Sequence, residues 1–257
     1  VGARLGQHFL FDPSILRRIA ARCVAGPDEE VVEIGAGKGT LTMALAALAR
    51  RVVAIETDAA LAAALAAACR GSNVTVVHGD ALEIAWPRAD VICGNIPYRI
   101  TSPLIEKALR PPRPARVVFL VQREVGDRLA AAPGEPSYGA LSAGVQLVAT
   151  VRRLFRVPAG AFRPRPGVDS ALILLEPRAT PLAAGPLERR ARHVIRACFQ
   201  RRRQQLRRIL RDAWGVERGD AERRLAALGI GPDWRPERLA PEQFVALARA
   251  LGSSLPS

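Results

Sequence analysis

Cysteine, histidine and lysine are scarce in this chain, and each scarcity closes off a class of function. The four cysteines, Cys23, Cys69, Cys93 and Cys198, show no CxxC spacing, and the three histidines, His8, His78 and His193, form no HxxxH pattern. That spacing argues against a disulfide framework and a zinc site, and the expectation is a chain with no metal. No Pro-Cys pair is present, so the covalent cysteine route to a carbon nucleophile is unsupported. Long apolar runs are missing too: charges interrupt each stretch well before the roughly 20 residues that a bilayer span needs. The N-terminus lacks a basic-then-apolar leader pattern, which predicts a soluble, intracellular, cytoplasmic protein.

Lysine is limited to Lys38 and Lys107, yet the formal net charge is +14 with an isoelectric point near 11.2. With alanine so abundant, the choice of arginine over lysine carries no message of its own. The excess of positive charge does. Residues 1–176 carry 21 basic and 16 acidic groups, whereas residues 177–257 carry 17 and 8. A basic surface of this size calls for a polyanion, and nucleic acid is the one that fits a chain with no membrane-binding segment.

With 257 residues and 49% hydrophobic content, the chain can bury a large core. Asp12-Pro13 followed by Ile15, Leu16 and Ile19 reads as an N-cap, a proline at the first helical position and an amphipathic helix. The runs VVEIG (31–35), RVVAIE (51–56), NVTVVHGD (73–80), DVICGN (90–95) and ARVVFLVQ (115–122) read as strands. Helical segments are expected at 40–50, 58–70 and 103–110. This alternation predicts a parallel α/β sheet with helices on both faces. After Tyr138 a further helix is expected, then TVRRLFRVP and VDSALILLEP as antiparallel strands at the sheet edge, joined by AGAFRPRPG. Beyond Pro177 only helical runs remain, near 186–213, 219–229 and 241–251. This shift marks the expected domain boundary; no internal repeat is present.

EIGAGKGTLT (33–42) follows a strand and opens a helix, so its glycines permit a tight turn and a close approach of backbone to ligand. It is not the dinucleotide fingerprint GxGxxG, because Thr40 stands where the third glycine would be, and it is not a phosphate loop. Glu56, at the end of the next strand, is placed to accept hydrogen bonds from two ribose hydroxyls, and Asp80, after the third, to read an adenine amino group. Together they predict a nucleoside ligand without phosphate. The fourth strand ends in Asn95-Ile96-Pro97-Tyr98. A nucleobase amine is a poor nucleophile because its lone pair is delocalised into the ring. Acceptors such as Asn95 Oδ1 and the Ile96 carbonyl draw its nitrogen toward tetrahedral geometry, Pro97 stiffens the turn, and Tyr98 offers a face for an extruded base.

Acidic-x-Gly-x-Gly, a strand-end acid and Asn-x-Pro-Tyr resemble S-adenosylmethionine-dependent amino-group methyltransferases. The segments GQHFLFDP (6–13), LVQREVGDRL (120–129), SYGALS (137–142), VPAGAFRPRPGVDSAL (157–172) and FQRRRQQLRRIL (199–210) resemble KsgA-type ribosomal RNA adenine dimethyltransferases across essentially the whole chain. The resemblance implies a Rossmann-like S-adenosylmethionine-binding catalytic domain over 1–177 and a small, basic, all-helical RNA-binding domain over 178–257. It implies dimethylation of two adjacent adenines near the 3′ end of small-subunit (16S) ribosomal RNA, on an immature 30S particle late in assembly. A monomer is the default expectation, and the missing Pro-Cys pair points to direct displacement at the sulfonium without a covalent enzyme intermediate.

By position, the cofactor would meet His8, Leu10, Gly35, Glu56, Asp80 and Asn95. The target base would meet Asn95, Ile96, Pro97, Tyr98 and, on its other face, Phe162; Arg202, Arg203 and Arg207 would meet RNA. Arg99 departs from the family pattern, and the basic extension that often precedes GQHFL is short or missing. Three alternatives stand: an Erm-type large-subunit dimethyltransferase, a non-catalytic assembly factor that binds RNA, and a DNA adenine methyltransferase. PGVDSAL and RRRQQLRRIL speak for the small-subunit class.

Overall fold

The structure, a computed structural model, describes residues 8–252. Gly6 and Gln7, which begin the GQHFLFDP motif, lie outside the described residues, as does the question of an N-terminal extension. In chain order the elements are β1 (Phe9–Leu10), α1 (Pro13–Cys23), β2 (Glu30–Ile34), α2 (Thr40–Ala46), β3 (Arg51–Glu56), α3 (Ala59–Ala68), β4 (Val74–His78), β5 (Val91–Asn95), α4 (Thr101–Ala108), β6 (Arg116–Gln122) and α5 (Arg123–Ala130). There follow α6 (Ala140–Gln146), β7 (Ala149–Val157), β8 (Phe162–Arg163), β9 (Ser170–Pro177), α7 (Gly185–Gln200), α8 (Leu206–Trp214), α9 (Arg218–Ala227) and α10 (Pro241–Ala250).

Two compact units result: residues 8–126 with 151–177, and residues 127–150 with 178–252. The expected boundary at 177 is one of the crossings, but the 127–150 segment belongs with the helical unit. The reason is packing. Tyr138 is fully buried there, donates its hydroxyl to the Leu239 carbonyl at 3.0 Å and meets Phe199 edge-on at 6.0 Å. Burial pushes its phenol well above the ordinary range. In the same unit the sequence-predicted helix over 186–213 is two helices, α7 and α8; α5, which runs across the crossing at 126–127, has no counterpart in the sequence reading.

In the first unit, seven strands form one sheet in the order β4-β3-β2-β5-β6-β9-β7. The first five are parallel, and β9 runs antiparallel to β6, with Phe119 opposite Ile173. Consecutive residues of β2, β5 and β6 are buried, which requires cover on both faces. On one face Leu16, Ile19 and Cys23 of α1 and Leu41 and Leu45 of α2 pack with Val31, Val52, Val91 and Val118. Each such side chain contributes about 1.5–3 kcal/mol. The start of α1 is as predicted: Asp12 accepts from the Ser14 and Ile15 amides at 2.9 and 3.1 Å, and Pro13 is the first helical residue. A two-residue ribbon, β1 against β8, pairs Phe9 with Arg163 and Leu10 with Phe162; it has no hydrophobic period long enough to read from sequence.

β2 has β3 on one side and β5 on the other, so the order in which the chain adds strands reverses about it and a cleft opens at the strand ends. Gly94, one residue before the end of β5, sits at φ 155°, and a Cβ there would lie 2.2 Å from the Ile34 carbonyl oxygen. The three nearest atoms are all Ile34 backbone in a central strand and cannot give way. Gly94→Ala should therefore cost about 3 kcal/mol or more, a drop in denaturation midpoint at unchanged slope. A midpoint within experimental error of the parent would mean that the strands separate freely.

Beneath the same cleft, Glu33 is buried at 1% exposure with no hydrogen-bond partner for Oε2 among the described residues. Burial, reinforced by the negative charge of Glu56, pushes its carboxyl from an ordinary 4.5 up to about 8. Between those values the folded chain holds a proton that the unfolded chain has released, so stability falls as pH rises, by at most about 1.4 kcal/mol per pH unit. Glu33→Gln has no such proton to hold. Relative to that variant, the parent should lose melting temperature from pH 5 to pH 8; parallel curves would show that Glu33 ionises normally.

Candidate active site

Four successive strand ends of the first unit meet at the cleft. The turn after β2 supplies Gly35 at φ 73°, whose amide donates to the Ile55 carbonyl at 2.9 Å. A Cβ on Gly35 would stand 3.6 Å from the Asn95 carbonyl oxygen, so this turn already touches the end of β5. The cleft encloses a cavity of about 310 Å³ whose wall includes His8, Gly35, Glu56, Asp80, Asn95 and Tyr98.

Glu56, at the end of β3, is 2% exposed and fixed at both oxygens: Oε2 accepts from the Gly37 amide at 2.7 Å and Oε1 from the Asp58 amide at 2.9 Å. A carboxylate oxygen has about two lone-pair sites, so each retains one to offer the cavity. Asp80 follows β4. Its Oδ1 accepts from the Leu82 amide at 2.8 Å, which holds the carboxylate at the wall. Two neighbouring acceptors at one strand end, a third at the next and a glycine turn on the strand to the other side suit the two hydroxyls and the amino group of an adenosine. Ile34, Ile55 and Ile96 supply apolar surface, and the basic side chains on the wall are His8 and Arg99, too few for a phosphate cradle.

The Asn95 amide is oriented by a single bond: Nδ2 donates to the His8 carbonyl at 2.8 Å. A carbonyl can only accept, so the NH₂ side is committed and Oδ1 is the acceptor that remains. His8 is itself anchored, its Nδ1 donating to the Pro164 carbonyl at 2.7 Å. Tyr98 is held from two sides, by Ser170 Oγ at 3.2 Å from its hydroxyl and by the His8 ring at 5.7 Å between centroids. Its ring therefore stands pre-set at the cavity wall.

His8, Gly35, Glu56, Asp80, Asn95, Ile96, Pro97 and Tyr98 are thus brought together. Leu10 and Phe162 do not line that cavity, although Leu10 borders a small adjoining one with Gly35, Gly37 and Asn95. The Leu10 side chain is 4% exposed and Phe162 1%, and both are members of the hydrophobic core. The alternation of the β1–β8 ribbon turns both side chains inward, so Phe162 packs beneath the ribbon rather than facing the cavity as expected. Phe9, which sequence reading passed over, does line the cavity, with Lys38 Nζ 5.1 Å from its ring centre. Glu33, the acid that opens the acidic-x-Gly-x-Gly motif, was given no role of its own, although an acid inside an otherwise apolar strand is a legible signal. The three arginines assigned to RNA lie in the other unit, and two are engaged. Arg207 pairs with Asp233 at 2.9 Å, and Arg202 donates to the Pro136 carbonyl at 2.9 Å; Arg203 is exposed. Among the described residues, no cluster of His, Cys, Asp or Glu could hold a metal ion, and no helix is long and apolar enough to cross a membrane.

Comparison with known proteins converges on one group. The family model described as ribosomal RNA adenine dimethylase matches residues 2–251. A ribosomal RNA small subunit methyltransferase A of Nitratidesulfovibrio vulgaris is 43% identical, over 97% of this chain and 96% of that protein. One of Streptomyces griseus is 39% identical, over 95% and 87%. Among solved structures, a dimethyladenosine transferase from Plasmodium falciparum superposes with a TM-score of 0.82 at 28% identity, covering 93% of this chain and 96% of that one. The 23S rRNA methyltransferase ErmE gives 0.74 at 30%, covering 95% and 99%. A match that spans both units, at identities well above those at which only a fold is shared, establishes descent: this chain belongs to the ribosomal RNA adenine dimethylase family.

Proposed function

We propose that this chain uses S-adenosylmethionine to dimethylate the N6 amino groups of two adjacent adenines near the 3′ end of small-subunit (16S) ribosomal RNA, as a cytoplasmic monomer acting on the immature 30S particle. The observation that carries the reading is the committed Asn95 amide, whose remaining acceptor stands at the same cavity as the adenosine-type acceptors Glu56 and Asp80. The relatives named as small subunit methyltransferases, at 37–44% identity, support the choice of subunit.

S-adenosylmethionine, when bound, supplies a methyl group on a positively charged sulfur. The chain's own residues do the rest. Gly35 lets the backbone approach the cofactor, Glu56 would hold the ribose hydroxyls, and Asp80 would accept from the adenine amine. Asn95 Oδ1 and the Ile96 carbonyl would accept the two N–H groups of the target amine, which turns its lone pair out of the ring plane and aims it. Pro97, at φ −60°, stiffens that presentation. Tyr98 would stack on the extruded base, which is worth about 1–3 kcal/mol. After the first transfer a single N–H remains to be held, and the proton lost passes to water.

Asn95→Ala should lower turnover by about 10²–10³ while leaving RNA affinity nearly unchanged, measured as labelled methyl transfer to unmethylated small subunits with nucleoside analysis of the product. Near-normal turnover would remove Asn95 from the mechanism. The same assay tests the second reading, which the ErmE likeness favours: dimethyladenosine in large subunits only would move the chain to that class, and no label on any RNA would overturn both.

For the basic helical unit, the proposed contacts to RNA rest on arginines without acidic partners. Arg203 and Arg211 are exposed and have none among the described residues, whereas Arg202 and Arg207 are tied to Glu237 and Asp233. Arg203→Ala and Arg211→Ala should each flatten the dependence of log affinity on log salt by about 0.7–0.9. Arg207→Ala should change it less. A slope equal to the parent's in both single variants would put that face in solvent.

A further inference from the structure

Lys107, near the C-terminal end of α4, does not reach for solvent. Its Nζ donates to three carbonyls of one turn, Ala81 at 2.8 Å, Leu82 at 2.9 Å and Ile84 at 2.6 Å. An ammonium has three N–H groups, so all are used. The amides of the same turn are taken by Asp80: Leu82 N donates to its Oδ1, and Glu83 N and Ile84 N donate to its carbonyl, both at 3.0 Å. Trp86 closes the arrangement, with Nε1 on the Ala81 carbonyl at 2.8 Å and its ring 5.0 Å from the ammonium. The turn belongs to no strand or helix and has no sheet partner of its own. Asp80 and Lys107 are what hold it.

α4 begins three residues after Tyr98, and Thr101 in its first turn donates its hydroxyl to the Pro97 carbonyl at 3.3 Å. One short helix therefore abuts the Asn95–Tyr98 turn at its start and grips the Asp80 turn near its end. We propose that Lys107 is a positioning residue for the nucleoside end of the cofactor site: by binding the carbonyls of Ala81, Leu82 and Ile84 it fixes the turn that aims the Asp80 carboxylate, and ties it to the helix behind the target-base turn. This rests on the reading of Asp80 as the acceptor for the cofactor's adenine. Burial, with the positive charge of Arg110 nearby, lowers the Lys107 ammonium below its ordinary value, while the negative charges of Glu83 and Asp80 act the other way and the three carbonyls take up its N–H groups.

The test is the binding of S-adenosylhomocysteine to the full-length chain by calorimetry, in the parent and in Asp80→Asn, which keeps the acceptor for Leu82. Lys107→Met should weaken binding about tenfold in the parent background and much less in Asp80→Asn, because two residues acting through one contact are not additive. The loss should appear in the KM for cofactor and not in the KM for small subunits. Unchanged affinity, or the same loss in both backgrounds, overturns the proposal. Should Lys107→Met not fold, Lys107→Arg carries the test. It keeps the charge, but its donors lie in a plane and cannot all meet converging carbonyls, so about threefold weaker binding is expected, and parent-like affinity overturns the proposal. Failure of the parent chain itself to bind S-adenosylhomocysteine would instead overturn the cofactor reading on which this one stands.

Discussion

At Gly94 the backbone of β5 passes so close to that of β2 that a single carbon built on its Cα would lie 2.2 Å from the Ile34 carbonyl oxygen. The rest of the cleft follows from that approach. It brings the Asn95 carbonyl next to the Gly35 turn, and it leaves the Asn95 side chain at the mouth of the cavity, within reach of the His8 carbonyl. A side chain at position 94 would push the two turns apart, and with them the two halves of the site: the carboxylates of Glu56 and Asp80 at the ends of β3 and β4 and the Asn95 amide on β5. On the other side of the cleft Gly35, Gly37 and Gly39 are all at positive φ, and a Cβ on Gly37 or Gly39 would meet the Phe9 ring at 3.0 Å or the Leu65 side chain at 2.3 Å. Gly37 shows the second half of the argument, because its amide is the donor that pins Glu56. Glycine here shapes the turn and also presents the N–H that turn exposes.

Charge is sorted with equal care. The chain as a whole carries a large positive excess, yet the cavity wall presents Glu56 and Asp80, with Glu33 buried just behind. An acidic cavity in a basic protein suits a small ligand that carries positive charge and a large one that carries negative charge. A polyanion would be drawn to the basic exterior and its phosphates repelled by the acids of the cavity wall. Glu33 fits this division because its proton keeps a third negative charge from being forced into the sheet below pH 8. The cost of that burial is borne by the fold and depends on pH, as expected of a strand that carries an acid among valines and isoleucines.

Much of the site was legible because its signal lies in residue types at strand ends. Gly35, Glu56, Asp80 and Asn95 each follow an apolar run, and a parallel sheet with a switch point brings such ends together whatever the helices between them do. The misreadings share a different cause. Leu10 and Phe162 were assigned by motif position, but inward or outward orientation in the ribbon is set by pairing with a distant strand. The break between α7 and α8 falls in RRRQQ, where no proline or glycine marks an end. The amides that open α8 are taken by another loop, Leu206 N by the Trp234 carbonyl at 2.8 Å and Arg207 N by Pro232 at 3.1 Å. Tertiary contacts thus override a local helical preference. The 127–150 segment misled for the same reason, since only packing reveals that Tyr138 belongs with Phe199 and Leu239.

The basic helical unit shows why a run of arginines cannot be read as a run of free charges. Arg207 spends its guanidinium on Asp233 and Glu222, Arg208 faces Asp212, and Arg224 meets Asp220 at 2.7 Å. Exposed pairs of this kind are worth little individually, about 0–1 kcal/mol, so the fold gains modestly from them. Their larger effect is on geometry, because a paired arginine keeps its position while lowering the local potential. The arginines left without acids, such as Arg203 and Arg211, then stand out against a neutralised background. A surface built this way does not attract a polyanion uniformly; it favours a backbone whose phosphates reach the few unpaired positions. Discrimination among RNA surfaces can thus arise from where the acids lie as much as from where the arginines lie.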